Sequence, residues 1–110
     1  MSSNPLDAVD VPENMVRDFS MTVAGAAAGA VYDTPNTFNC MGLDLFIRNR
    51  GAAALTIAIQ GQGGITVDPG DVYTINNVKF WLVTIVSAVL YDLQIFGVRI
   101  TTLKRRGLMN

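Results

Sequence analysis

The sequence predicts an all-β protein: a single antiparallel β-sandwich or jelly-roll-like barrel, preceded by an extended N-terminal arm. From Leu43 onward, apolar residues recur at every second position, which is the period of a strand that turns one face to a core. Gly, Asn and Pro separate these runs at the short spacing typical of antiparallel sandwiches and barrels. No amphipathic helix of normal length is predicted after residue 20. The 110 residues suit one domain.

Six segments carry the strand pattern, at residues 43–48, 55–60, 65–67, 72–75, 78–86 and 89–101, with a bend expected at Gly97. The connections between them have turn composition. The glycine cluster at 61–64 is predicted to be a hairpin loop rather than a phosphate-binding loop, because neither a Lys-Ser/Thr pair nor a helix follows it. Asp68-Pro69-Gly70-Asp71 fits a type II turn, since Pro presets φ at the second position and Gly accepts a positive φ at the third.

The chain is expected to divide into an N-terminal arm (1–18), a β-sandwich domain (19–103) and a basic C-terminal tail (104–110). The segment from Phe19 to Val31 is rich in Ala and Gly. We interpret it as a strand with small side chains, because Gly25 and Gly29 would each cost a helix about 1 kcal/mol. Residues 33–36 are predicted to be a loop.

Composition argues against most enzyme classes. The chain has no histidine, the commonest general base, and Cys40 is its one cysteine, which rules out a disulfide framework and a Cys-only metal site. We therefore predict a non-enzymatic protein with no catalytic residue, cofactor or metal. Eight basic against nine acidic residues lack the positive surplus of a nucleic-acid binder. The acidic N-terminus is unlike a signal peptide, and no apolar stretch is long enough to span a membrane. Neither a nucleic acid nor a membrane is therefore expected as a partner.

Two weaker site patterns are also present. Asp68 and Asp71 flank one turn, but calcium normally takes six to eight oxygen ligands, so we expect these residues to serve the turn. The aromatic residues could form a platform for sugars, although aromatics on strands mostly pack in cores. A monomeric carbohydrate- or protein-binding module would expose Trp81 or Tyr73, and this remains an alternative.

The segments at 78–86 and 89–96 carry apolar residues on both faces, whereas an antiparallel sheet in a monomer normally turns one polar face to water. A second cover is therefore expected, either the Ala/Gly segment at 19–31 or another copy of the chain. The charged fraction of 15% favours another copy, so we predict a homo-oligomer, with a trimer favoured. The predicted interface residues are Trp81, Val83, Ile85 and Phe96, together with the basic cluster Lys104, Arg105 and Arg106.

Three consecutive stretches resemble small β-sandwich structural proteins of tailed bacteriophage virions, of the capsid decoration or cement type. They are Leu45-Phe46-Ile47-Arg48-Asn49-Arg50-Gly51, Leu55-Thr56-Ile57-Ala58-Ile59-Gln60-Gly61 and Ile65-Thr66-Val67-Asp68-Pro69-Gly70-Asp71, followed by the strand residues Phe80-Trp81-Leu82-Val83. The resemblance covers about half of the chain. It implies a protein that acts through its surfaces, so no site residue is carried over.

The expected function is that of a virion structural protein that oligomerises on the capsid surface and stabilises the shell, with the major capsid protein or another virion protein as partner. The acidic arm and the basic tail would lie across neighbouring capsid subunits and add contacts. A phage tail, adaptor or fibre component is a second interpretation, and the monomeric binding module is a third. The protein would be made in the host cytoplasm and reside in the virion.

Overall fold

The computed structural model describes residues 5–12, 14–26, 28–60 and 64–109, and it forms two antiparallel four-stranded sheets packed as a sandwich. The elements in chain order are a 3₁₀ turn (Pro5–Ala8), β1 (Phe19–Ala26), β2 (Ala30–Asp33), α1 (Thr34–Phe38), β3 (Cys40–Asn49), β4 (Leu55–Ile59), β5 (Ile65–Val67), β6 (Val72–Ile75), β7 (Leu82–Val86), β8 (Tyr91–Arg99) and α2 (Ile100–Arg105). The predicted sandwich is confirmed. The jelly-roll-like barrel is not, because the described strands form two open sheets.

The first sheet has the strand order β1-β8-β3-β6, and its centre is the long pairing of β3 with β8. At one end of this pairing two glycines lie opposite each other, Gly42 and Gly97. A Cβ at Gly97 would lie 2.1 Å from the carbonyl oxygen of Met41. Glycine at this position therefore permits a backbone approach that no side chain would allow, at the place where a bend was expected.

The second sheet has the strand order β2-β7-β4-β5 and consists of shorter strands. Residues 30–33 form β2, so the Ala/Gly segment supplies one strand to each sheet rather than a single strand. The chain turns between them after Gly25, whose φ of +68° is a conformation that favours glycine. The predicted hairpin loop at 61–64 lies outside the described residues, except for Gly64.

The main core lies between the sheets and takes the inward residues of the alternating strands. These are Leu45, Ile47, Leu55, Ile57, Val67, Phe80, Val83, Ile85, Tyr91, Leu93 and Ile95. Every one of them is at most 3% exposed, which is what an alternating pattern with one buried face requires. The side-chain period in β4, β7 and β8 is therefore confirmed.

A second apolar cluster, which we call the end cap, covers the end of the sandwich where β3 begins and β8 finishes. Its buried residues are Leu6, Val9, Met15, Met41, Leu43, Val98 and Leu103. Three of them come from the predicted N-terminal arm and one from α2, so described residues near both ends of the chain pack against the sandwich. The described residues of the arm thus complete a hydrophobic cluster of their own chain.

Two further predictions of local structure are wrong. The segment after Asp33 is the short helix α1 rather than a loop, because the Asp33 carboxylate caps it by accepting from the Asn36 N–H at 3.2 Å and Pro35 suits its first turn. Residues 78–81 do not continue β7. Phe80 forms an isolated bridge with Gly42, and its ring occupies the space that a side chain at Gly42 would fill.

Candidate interaction surfaces

The outer face of the second sheet has few charges and is partly apolar. Strand register places Val31, Thr84 and Ala58 in one row across it, and Val86, Thr56 and Thr66 in the next. Val31 is 64% exposed and Val86 is 66% exposed. In these four strands the single charged residue is Asp33, at the end of β2. Valine and threonine fit a pleated sheet surface, but two valines this exposed on one face mark a surface that suits contact with another protein.

The outer face of the first sheet has a different character, because its acidic residues have partners within the chain. Asp92 accepts from the Gly25 N–H at 2.9 Å and from Arg50 at 3.3 Å. These two interactions, the first being the stronger, hold the pKa of Asp92 below its usual value. Burial acts in the opposite sense and is outweighed.

Asp44 of β3 holds the last residues of the N-terminal segment. Its oxygens accept from Arg17 Nε at 2.7 Å, from Arg17 Nη2 at 3.1 Å and from the Asn77 N–H at 2.8 Å. Burial is the largest single influence and would raise the pKa of Asp44, but the hydrogen bonds from Arg17 and Asn77 and the charge of Arg17 together outweigh it and lower the pKa. Asp44 therefore serves as an internal anchor for the segment that leads into β1.

Asp18 makes an equivalent contact on the other side of the same segment. Its carboxylate accepts from the Arg99 N–H at 2.8 Å and from the Thr102 hydroxyl. Burial opposes ionisation of Asp18, yet the bonds from Thr102 and Arg99 outweigh it, so its pKa is lowered. Together Arg17 and Asp18 tie the start of β1 to β3 and α2.

The predicted interface residues lie in four different places. Val83 and Ile85 face inward and are 0% and 2% exposed, so they belong to the core between the sheets. Trp81 is half-buried against the end cap. The backbone N–H groups of Trp81 and Leu82 both donate to Gln60 Oε1, at 3.0 and 2.9 Å. Phe96 is half-buried on the outer face of the first sheet. Alternation in the sequence showed that both faces of 82–86 are apolar. It could not show which face packs against the first sheet and which is exposed.

The basic cluster is positioned by a folded C-terminus. Lys104 and Arg105 lie in the last turn of α2, and their exposed side chains follow the fully buried Leu103. Gly107, with φ of +73°, ends the helix: its N–H bonds to the Lys104 carbonyl at 3.1 Å and the Leu108 N–H bonds to the Leu103 carbonyl at 2.9 Å. This is the Schellman arrangement, and Leu108 contacts the end cap beside Leu103. The basic side chains therefore project from a fixed position.

An apolar groove opens along one side of the sandwich, where β5 and β6 end their respective sheets. Its volume is about 410 Å³, and its lining residues are Ile59, Ile65, Tyr73, Thr74, Ile75, Asn76 and Val78. Tyr73 is half-buried here and packs against the main core. Among the described residues, no element packs over the groove at this side of the sandwich.

The buried ionisable groups have structural surroundings. Burial raises the pKa of the Cys40 thiol to about 11, which keeps it protonated and unreactive at neutral pH. Burial also raises the pKa of Tyr91 to about 12, and its hydroxyl donates to the Ala28 carbonyl at 2.9 Å.

Across the described ranges there is no group of three or more His, Cys, Asp and Glu side chains that could hold a metal ion. None of the helices in those ranges has the length and apolar character needed to cross a membrane.

Sequence reasoning missed two features of these surfaces. The exposed valines of the second sheet were not singled out, although the absence of charge from residues 51–67 and 81–91 could have identified that sheet. The end cap was also missed, because its residues are separated by up to a hundred positions. The apolar residues Leu6, Val9 and Met15 in the predicted arm were the available signal.

No family model matches the chain, and no curated protein matches it. Among solved structures, it is similar to a chain from "Bacillus endospore appendages form a novel family of disulfide-linked pili", with 18% identity and a TM-score of 0.45, over 82% of this chain and 96% of that one. It is also similar to a de novo designed double-stranded β-helix solved by NMR, with 15% identity and a TM-score of 0.37, over 74% of this chain and 99% of that one. At these scores the function must be argued from the chain's own surfaces.

Proposed function

We propose that this chain is a non-enzymatic structural protein that forms a homo-oligomer through the outer face of its second sheet. The observation that carries the proposal is the exposure of Val31 and Val86, at 64% and 66%, on a face whose central rows hold only Thr, Ala and Val. Such a face packs against a neighbouring copy without charge repulsion and without leaving a buried charge unpaired. A trimer is the favoured state.

The finer proposal is a capsid decoration protein, and it is supported by the resemblance of residues 45–83 to such proteins. The exposed cluster of Lys104, Arg105 and Arg106 supplies a contact to an acidic surface of a capsid subunit. Because α2 is anchored by Leu103, these side chains are presented in a fixed geometry, which lowers the entropy cost of binding.

The test of the oligomer is the solution mass by light scattering across a hundredfold dilution, for the wild type and for two lysine variants. Val86→Lys places a charge on the outer face of the second sheet, and Val72→Lys is the matched control on the first sheet, where Val72 is 47% exposed. We expect an oligomeric wild type, an oligomeric Val72→Lys of the same mass, and a Val86→Lys of lower mass. A wild type that stays monomeric at every concentration contradicts the proposal.

The test of the decoration role uses capsid shells from which the protein has been stripped. Reversing the charges at 104–106 to Glu should leave the fold and the oligomer intact, because all three side chains are exposed, and should abolish rebinding to the shells. Arg48→Glu, an exposed position of β3, is the control. Equal rebinding of all variants would exclude a role for this cluster, whereas a wild type that does not rebind to the shells would favour the tail or adaptor assignment.

A further inference from the structure

The edge of β1 offers a second place where copies of this chain could meet, given the proposed self-association. β1 is the outermost strand of the first sheet and, among the described residues, pairs with β8 alone. It is eight residues long, whereas the other three edge strands, β2, β5 and β6, have four, three and four residues. Edge strands of natural proteins are usually short or protected by charge, since a long open edge offers hydrogen-bonding groups to another chain.

The charges around the four edges make β1 different. β2 finishes at Asp33, β5 is followed by Asp68-Pro69, and β6 is preceded by Asp71, so each short edge has a charge or a proline beside it. β1 has no charged residue between Phe19 and Ala26. The charges just before it, Arg17 and Asp18, bond to Asp44 and to Arg99 and Thr102 of their own chain. They are therefore directed away from the edge.

The side chains of β1 also leave part of the main core uncovered. Met21 and Val23 pack against that core and are only half-buried. A strand added at this edge would cover them and extend the sheet, which is the usual form of strand addition. At one end Phe38 lies against Phe19, with ring centroids 5.5 Å apart, and at the other the pairing with β8 shifts register between Val23 and Ala26. The open part of the edge is therefore the five residues 20–24.

We propose that this edge pairs with the β1 edge of a second copy, antiparallel and centred on Thr22. A two-fold axis at Thr22 pairs Ser20 of each copy with Ala24 of the other and uses the open part fully. The result is one continuous eight-stranded sheet across the two copies. Because Ser20, Thr22 and Ala24 are exposed and uncharged, no like charges meet at the axis.

The test uses a matched pair of threonines. Thr22 and Thr74 lie at the two ends of one cross-strand row, Thr22–Gln94–Phe46–Thr74, on the outer face of the same sheet. Thr22→Lys would bring two like charges together at the axis, so we expect the dissociation constant of the oligomer to rise about tenfold or more. Thr74→Lys, on the opposite edge, should change it less than about twofold. Circular dichroism verifies that both variants fold.

A second measurement locates the contact directly. Thr22→Cys should form a covalent dimer in high yield with a short bis-maleimide, and Thr74→Cys should not, while the buried native Cys40 is inert in both. An oligomer unaffected by Thr22→Lys, or equal cross-linking of the two cysteine variants, would overturn the edge pairing alone. A wild type that is monomeric and gives no Thr22→Cys dimer overturns both this pairing and the proposed function.

Discussion

The two sheets of this sandwich share one core but differ in how they meet their surroundings. The first sheet has three strands of eight to ten residues, a glycine contact between its central strands and acidic residues bonded within the chain. The second has strands of three to five residues and an outer face of Val, Thr and Ala. The two sheets therefore differ in their contacts. The first sheet binds the segments near both ends of the chain, and the second sheet exposes an uncharged outer face.

The largest expected effect comes from adding one methyl group between the two central strands of the first sheet, at one end of their pairing. Gly97→Ala would place a Cβ 2.1 Å from the Met41 carbonyl oxygen, and since backbone cannot move aside cheaply we expect a loss of about 3 kcal/mol or more of unfolding free energy. The matched change in the second sheet is Ala58→Val, on the half-buried outer face of β4, which should cost less than about 0.5 kcal/mol. Urea denaturation measures both. Similar losses in the two variants would show that the sheets are packed equally tightly.

A smaller effect is expected at the junction between the sheets. Asn49, at the end of β3, is fully buried; its Nδ2 donates to the Ala53 and Val67 carbonyls at 2.8 and 2.9 Å, and its Oδ1 accepts from the Gly51 N–H at 2.8 Å. Asn49→Ala leaves these groups without partners and should cost about 2–3 kcal/mol. Asn76→Ala, an exposed control, should be within about 0.5 kcal/mol of wild type. A small loss for Asn49→Ala would mean that water replaces the amide.

The smallest expected effect is the dependence of stability on pH, which comes from aspartates on and beside the first sheet. Asp18, Asp44 and Asp92 all have lowered pKa values in the folded protein. A lowered folded pKa contributes stability that is present above the unfolded value of 3.8 and is lost as the pH falls through the folded value. The urea midpoint should therefore fall below about pH 4.

Asp44→Asn tests the share of one of these groups. It removes the charge beside Arg17 and should cost about 1 kcal/mol at pH 7 and less at pH 3. Asp71→Asn, at an exposed turn position, is the control and should behave as wild type. If the Asp44→Asn variant loses as much unfolding free energy between pH 7 and pH 3 as the wild type does, protonation of Asp44 does not contribute to the acid sensitivity.

Much of the fold follows from local patterns in the sequence. Alternation in β4 and β8 predicted which side chains face the core, because a period of two assigns every second residue to one face. The strand before Asn49 was predicted on the same grounds. The turn at 68–71 was predicted from its Pro-Gly pair, and Gly70 has the expected positive φ, +83°. The limits of β7 were not, since Phe80 and Trp81 continue an apolar run and only the space at Gly42 directs the Phe80 ring out of the strand. The prediction of an oligomer rested on apolar residues on both faces of 78–86 and 89–96, whereas the proposed oligomer rests on the exposed valines of the second sheet.

The sequence by itself determined that this is an all-β sandwich, because strand periodicity and turn residues are local properties that depend on neighbours a few positions apart. Tertiary structure alone decided three other matters: that Leu6, Val9 and Met15 close the end of the sandwich, that Val83 and Ile85 are core while Val31 and Val86 are exposed, and that β1 is a long free edge. Each depends on which strand lies beside which. Strand order is set by the packing of distant segments against one another, and a two-residue period carries no information about it.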